Sequence, residues 1–187
     1  MPSFAEVSHD EWIAAPEARV RSQFADLEHH IATSVHPTLT FRVLGALGPA
    51  GELHYEQRVK LLGITQRDVF ERRFTADGAM VDTSIDGFNK GGSLAIRFTP
   101  ERRGGAEGTC VNITIRLPLP PFLGPLGPLV RPLLQAQVRR EVRAAAAEDK
   151  HDIEVRGYRP GAASAAARTN AMPAAASAAS AFASAPP

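Results

Sequence analysis

The chain has a single cysteine, Cys110, among its 187 residues. A lone thiol cannot close an internal disulfide, so the fold does not depend on an oxidising compartment, and a cytoplasmic location is expected. There is also no excess of either charge. Twenty-one Lys and Arg stand against 20 Asp and Glu, which leaves no net field to draw in polyanions by counterion release, and nucleic-acid binding is not expected. The start, Met1-Pro2-Ser3-Phe4-Ala5-Glu6, lacks the basic stretch and apolar run of a secretory signal. The longest apolar run, Leu117 to Leu134, carries six prolines and Arg131; lost N–H donors and ring clashes would break a helix crossing a membrane there. Gly-x-Ser-x-Gly elbows, phosphate-binding glycine loops and His-Glu-x-x-His pairs are absent as well, which removes the commonest hydrolase, nucleotide and zinc-protease signatures.

What is present is ordinary globular material, with 44% apolar and 22% charged residues in a length suited to one hydrophobic core. From Gly161 onward the composition collapses to Ala, Ser and Pro, with Met172 and Phe182 as the only large apolar side chains. Such a segment cannot bury enough apolar surface to offset its ordering entropy. Residues 1–160 are therefore read as the working domain and 161–187 as a disordered tail.

Within the domain, Phe4 to Ile13 reads as a strand that ends before Pro16, where proline opens a helix at its first turn. Val20, Phe24, Leu27 and Ile31 then recur at three- and four-residue steps, the period of one helix or a pair of short helices stopping near His36-Pro37. Six strands fit between Thr38 and Leu117, divided by turn signals at Gly48 to Gly51, Ala76 to Gly78, Lys90 to Gly92 and Arg103 to Gly105. Leu53, Tyr55, Gln57, Val59 and Leu61 share one face of their strand; Val111, Ile113, Ile115 and Leu117 share one face of the last. Gln66, Asp68 and Arg72 alternate with them onto the face of Phe70, although an Asp68–Arg72 cross-strand pair turned to solvent is an equal alternative. A final stripe, Val130, Leu134, Val138, Val142, Ala145, Asp149 and Ile153, marks a long helix beginning near Leu129. Cys110 alternates outward and is expected to be inert.

The order strand, two short helices, six strands in hairpin succession and one long helix resembles the START-like, or SRPBCC, superfamily. The opening Trp12-Ile-Ala-Ala-Pro16-Glu17-Ala-Arg-Val20, running into a helix and an Asp26-containing turn, is similar to that superfamily's entry. The resemblance spans residues 3 to about 155. It implies an α+β helix-grip fold, a seven-stranded curved antiparallel sheet around a long C-terminal helix. It further implies a hydrophobic ligand held between the two, lined by Tyr55, Gln57, Val59, Phe70, Leu94, Ile96, Phe98, Val111, Ile113, Ile115, Val138 and Val142. The same side chains also suit a solid core, in which case no cavity of about 300 Å³ would be found. The apolar stretch around Phe122, with Leu123, Leu126, Leu129, Val130 and Leu133, reads as a gate over the cavity, a cap on the core, or a transient membrane contact.

Asp26, His29, His30 and His36 fall within eleven residues, and Asp149 lies inward on the last helix. Two histidines and one carboxylate are what a mononuclear non-haem iron needs. Asp26-Leu-Glu-His29 resembles the first half of the Asp-x-x-His-x-x-x-x-His motif of Rieske oxygenase catalytic domains, themselves helix-grip, and Glu148-Asp149 through Tyr158 resembles the end of their steroid-hydroxylating members. The spacing departs from theirs, with six residues between His29 and His36. That resemblance implies iron held by His29, His36 and Asp149; without a Cys-x-His pair for a cluster, electrons would come from another protein. The expected function is binding of a lipid, polyketide or sterol-like molecule as carrier or sensor, with no cofactor. The alternatives are an enzyme using the same cavity, a cyclase or dehydratase or an iron oxygenase-like domain, and an interaction protein with a filled interior.

Overall fold

A computed structural model describes residues 4–45, 52–61, 63–119 and 127–161. The chain runs β1 (Phe4–Ile13), α1 (Glu17–Ala25), α2 (Leu27–Thr33), β2 (Leu39–Val43), β3 (Leu53–Leu61), β4 (Ile64–Phe74), β5 (Met80–Gly87), β6 (Ser93–Arg103), β7 (Ala106–Pro118) and α3 (Gly127–His151). This is the expected α+β arrangement. The stretch around Phe122 and the Ala/Ser/Pro tail beyond Gly161 lie outside the described residues.

All seven strands pair antiparallel in one curled sheet, in the order β1-β7-β6-β5-β4-β3-β2. Consecutive hairpins build it from β2 to β7, and β1 closes onto β7 by long-range pairing from Phe4↔Pro118 to Ile13↔Thr109. A bulge marks the bend: Val69 pairs with Asp86 and Phe70 with Ser84, so Ile85 has no partner and the strands twist more strongly there. The inner face carries the core. Ile13, Val20, Met80, Val111, Ala146 and Ile153 pack in one cluster that joins β1, β5, β7, α1 and α3.

Alternation explains which side chains turn inward, because successive strand residues face opposite sides of the sheet. On the outer face Glu56 is covered by Arg42, Arg58 and Arg67, which reach its carboxylate at 3.2, 3.0 and 2.7 Å. The pairing holds Glu56 below its usual carboxylate pKa, chiefly through the hydrogen bond from Arg67.

The long helix begins at Gly127, two residues before the expected Leu129. Pro128 sits in the first turn, where its missing N–H has no partner to lose. Pro132 forfeits only the bond to the Pro128 carbonyl. At its other end α3 passes into a π-helical turn, Asp152–Arg156, which stops at Gly157 with φ 73°. Asp149 near the end of α3 and Asp152 at the start of this turn both face the interior, each less than 5% exposed.

The β5–β6 turn depends on Gly87. Its φ is +111°, and a Cβ there would collide with the Arg67 carbonyl and lie 2.7 Å from the Asp68 Cα. That close approach lets the Asp68 carboxylate accept from the Asn89 backbone N–H at 2.6 Å and from Asn89 Nδ2 at 2.8 Å. Gly87→Ala is accordingly expected to destabilise by about 2 kcal/mol or more, read as a lowered urea midpoint at unchanged slope. An effect within about 0.5 kcal/mol would show that the turn tolerates a side chain.

Candidate functional site

Between the concave sheet and α3 lies a cavity of about 220 Å³. Its sheet wall is built from Tyr55, Gln57 and Val59 on β3, Phe70 on β4, Leu94 and Ile96 on β6, and Ile113 and Ile115 on β7. Val138 and Val142 supply the helix wall, with Ala144 and Ala145 beside them. These residues come together because the strand period of two and the helix steps of four each place one apolar row on the shared side. Exposed Thr38 and Ala144 are also lining residues, so the space reaches solvent between the start of β2 and α3.

Two of the expected lining residues lie elsewhere. Phe98 is covered by α1, its ring edge-on to Phe24 at 5.7 Å, with the Arg21 guanidinium 5.1 Å from its centroid. Val111, 0% exposed, is embedded in the core beneath. Both alternate correctly, but α1 packs on the part of the inner face they occupy, a tertiary contact that strand periodicity does not contain. Conversely, Phe24 and Leu27, read from the sequence only as the apolar row of the first helical stretch, line the space, as do Leu39 and Phe41, which the pattern did not single out. The two-residue spacing of Leu39 and Phe41 was the available signal.

Polar groups enter the wall in two clusters. Gln66, Asp68, Ser84 and Asn89 form one: Asn89 Nδ2 donates to Gln66 Oε1 at 3.1 Å, and Ser84 Oγ donates to Asp68 at 3.3 Å. Asp68 and Arg72 both turn inward and do not pair with each other. Arg72 instead grips Asp82 with two bonds of 2.8 Å, Nε to Oδ1 and Nη2 to Oδ2, while its Nη1 donates to the Phe24 and Ala25 carbonyls at the end of α1. Tyr55 donates its hydroxyl to Asp82 at 2.7 Å. Burial and the Asp82 charge push the Tyr55 hydroxyl well above its ordinary pKa. This network locks the sheet to the α1–α2 corner.

The second cluster gathers the histidines. Asp26 caps α2, accepting from the His29 backbone N–H at 2.9 Å, and Tyr158 donates to its other oxygen at 3.1 Å. His29 then turns away, its Nε2 donating to Asp152 at 2.8 Å. His30 takes the place expected of His29: its Nε2 lies 3.2 Å from Asp149 Oδ1, and its Nδ1 donates to the Asp26 carbonyl at 2.7 Å. His36 stacks on His30 with centroids 5.2 Å apart, its Nε2 3.3 Å from the same Asp149 oxygen and its Nδ1 2.9 Å from Glu148. The group that converges is therefore His30, His36 and Asp149, and His29 is not in it. Both histidines are buried on α2, and the partners decide the exchange: Asp152 takes His29 while Asp149 takes His30. From this cluster a series of rings, Phe41, Tyr55 and Phe70, runs along the cavity wall with centroids 5.5 to 6.2 Å apart.

Burial opposes a charge on His36, yet its bonds to Asp149 and Glu148 outweigh that and raise its pKa to about 9. Burial likewise opposes ionisation of Asp149, but His30 and His36 hold it well below the usual carboxylate range.

The arrangement of one curled antiparallel sheet gripping a C-terminal helix, with an apolar space between, can be set beside solved structures. The Zhui aromatase/cyclase from Streptomyces sp. R1128 superposes with a TM-score of 0.60 at 18% identity, over 83% of this chain and 99% of that one. A START superfamily protein from Mycobacterium smegmatis gives 0.59 at 17%, over 75% and 92%. The protein TTHA0849 from Thermus thermophilus gives 0.57 at 23%, over 77% and 96%. This chain has the START-like fold. No family model matches the sequence, and no curated protein matches it. The START-like fold thus rests on geometry.

Two outcomes test the polar clusters. Arg72→Met leaves Asp82, 0% exposed, as a buried charge held by one hydroxyl, and is expected to cost about 3–5 kcal/mol, with much of it recovered in Arg72→Met/Asp82→Leu. Equal stability of the single and double variants would refute the pairing. For His36 the folded pKa lies above its unfolded value of 6.5, so its stabilisation is full below pH 6.5 and lost as pH rises through about 9. The unfolding free energy from urea titrations should fall across that window by on the order of 3 kcal/mol, and His36→Gln should flatten the profile.

Proposed function

We propose that the chain binds a compact hydrophobic small molecule in the space between sheet and α3, as a carrier or sensor. The single observation carrying this reading is a cavity with a mostly apolar wall, into which Gln57, Arg72, Glu141 and the two polar clusters project, the composition of a site that desolvates a ligand and orients it by polar contacts. Size refines the ligand class. A volume of about 220 Å³ falls short of the about 300 Å³ at which drug-sized pockets begin, so the occupant is a small ring system or short acyl group rather than a full-length lipid or sterol. Phe41, Tyr55 and Phe70 offer ring faces and edges for stacking an aromatic guest.

A second reading, an enzyme of the cyclase or dehydratase type, is favoured by the ionisable His36 and Asp149 on the cavity wall. The structural likeness to the Zhui aromatase/cyclase supports the same reading. Proton transfer there would use His36 as acid, since it stays protonated at neutral pH.

Both readings need free space, so the decisive variant fills it. Ala145→Phe places a ring in the cavity from a half-buried helix position and is expected to weaken binding of a naphthol or anilinonaphthalene probe at least tenfold while leaving the thermal midpoint within a few degrees. Unchanged probe affinity would rule out this cavity as the site. Incubating the parent chain with a short β-polyketone thioester and following loss of water by mass spectrometry separates carrier from enzyme.

A further inference from the structure

Three atoms able to bind a metal meet at the buried end of α2: one nitrogen each of His30 and His36 and one oxygen of Asp149. His30 Nδ1 faces only the Asp26 carbonyl, 2.7 Å away, so that nitrogen carries the hydrogen and Nε2 is left as an acceptor in the neutral ring. His36 Nδ1 donates to the Glu148 carboxylate at 2.9 Å, so its Nε2 is the nitrogen free to exchange a proton for a metal. Both Nε2 atoms point at Asp149 Oδ1, at 3.2 and 3.3 Å. Gln23 Nε2 lies 3.5 Å from His30 Nε2, but its two hydrogens are directed at Asp149, 3.0 Å away, and Asp152, 3.2 Å away. All three groups are buried, at 4 to 7% exposure. A proton on His36 Nε2 answers one of the two contacts to Asp149, and a second on the stacked His30 ring, its centroid 5.2 Å away, would set two cations face to face. One divalent cation answers both contacts.

We infer that His30, His36 and Asp149 form a mononuclear binding site for a divalent first-row transition ion, of the Fe2+ or Zn2+ class. The donor set is two imidazoles and one carboxylate, which suits those ions over Ca2+ or Mg2+. Metal–ligand bonds of about 2.1 Å separate neighbouring ligand atoms by roughly 3.0–3.4 Å in tetrahedral or octahedral geometry, and the His–Asp separations of 3.2 and 3.3 Å lie in that range. The ligand atoms all fall within 4.8 Å of one another, so a small movement of the His30 and His36 rings closes the site. The outer shell is already built: a backbone carbonyl behind His30 and a carboxylate behind His36 hold each ring in the metal-binding tautomer. Charge agrees, because Glu148, Asp149 and Asp152 all border the site. Three protein ligands leave coordination positions open. As His30, His36 and Asp149 all line the cavity, an oxygen of a bound ligand can complete the shell. The site stands whether or not the apolar part is occupied.

The test uses the full chain, stripped with a chelator and titrated without oxygen with Co2+, Zn2+ and Fe2+ by calorimetry and elemental analysis. One ion per chain is expected. His30→Ala, His36→Ala and Asp149→Asn should each weaken binding at least 100-fold, and Glu148→Gln about 10- to 100-fold by freeing the His36 ring. His29→Ala, whose ring is held by Asp152, should stay within about threefold of the parent. Should the alanine variants fail to fold, Zn2+ added to the parent is expected to shift the Nε2 resonances of His30 and His36 and to leave that of His29 in place. Absence of stoichiometric binding for all three ions, or a loss in His29→Ala equal to that in His30→Ala, overturns the assignment.

Discussion

The carboxylate of Asp149 is the point on which the interior turns. It stands on α3 and meets Gln23 of α1, His30 of α2 and His36 of the following loop within 3.0 to 3.3 Å. Removing a buried charge from water costs several kcal/mol unless it is fully matched, so the three elements must converge for α3 to lie where it does. The position of α3 in turn sets how far the helix stands from the sheet. Asp152, three residues on, repeats the device with His29 and Gln23. Two acidic side chains thus anchor the end of the helix, while its middle contributes Val138, Val142 and alanines, with Glu141 as the polar exception.

That division of labour explains why there is space inside. The anchored end and the β1 side of the sheet are packed solid by Ile13, Val20, Ala146 and Ile153. Farther along, the sheet curls away at the Val69/Phe70 bulge, while α3 presents Val138, Val142, Ala144 and Ala145, side chains too short to follow it. A curved wall opposite a row of small residues leaves a void that close packing would otherwise remove. The Arg72–Asp82–Tyr55 network keeps the void open from below, by tying β3, β4 and β5 to the α1–α2 corner through bonds that a collapsed interior would have to break.

Much of this was legible in the residues. The strand boundaries follow two-residue alternation and glycine turns, and Gln57, Gln66 and Arg72 all face inward as alternation requires. Asp149 lies on the apolar stripe of α3, where a carboxylate is costly and therefore informative. Three departures share one origin. Phe98 and Val111 lie on the inward face yet under α1, His30 rather than His29 meets Asp149, and Asp68 and Arg72 choose separate partners. For Phe98, Val111 and the histidines the face was readable and the neighbour was not; for Asp68 and Arg72 the face itself stayed open until their inward partners decided it.

Periodicity reports on a single element and its own two sides, because backbone geometry repeats at 2 or 3.6 residues whatever surrounds it. By itself, then, the sequence determined the number and order of elements, their wet and dry faces, and the chemical kind of the buried groups. Only the tertiary structure decided which of two adjacent histidines reaches the carboxylate, which part of the dry face is covered by α1, and that about 220 Å³ stays free. Those outcomes depend on how helices cross the sheet, and that is settled by contacts between residues more than a hundred positions apart, such as Gln23 and Asp149.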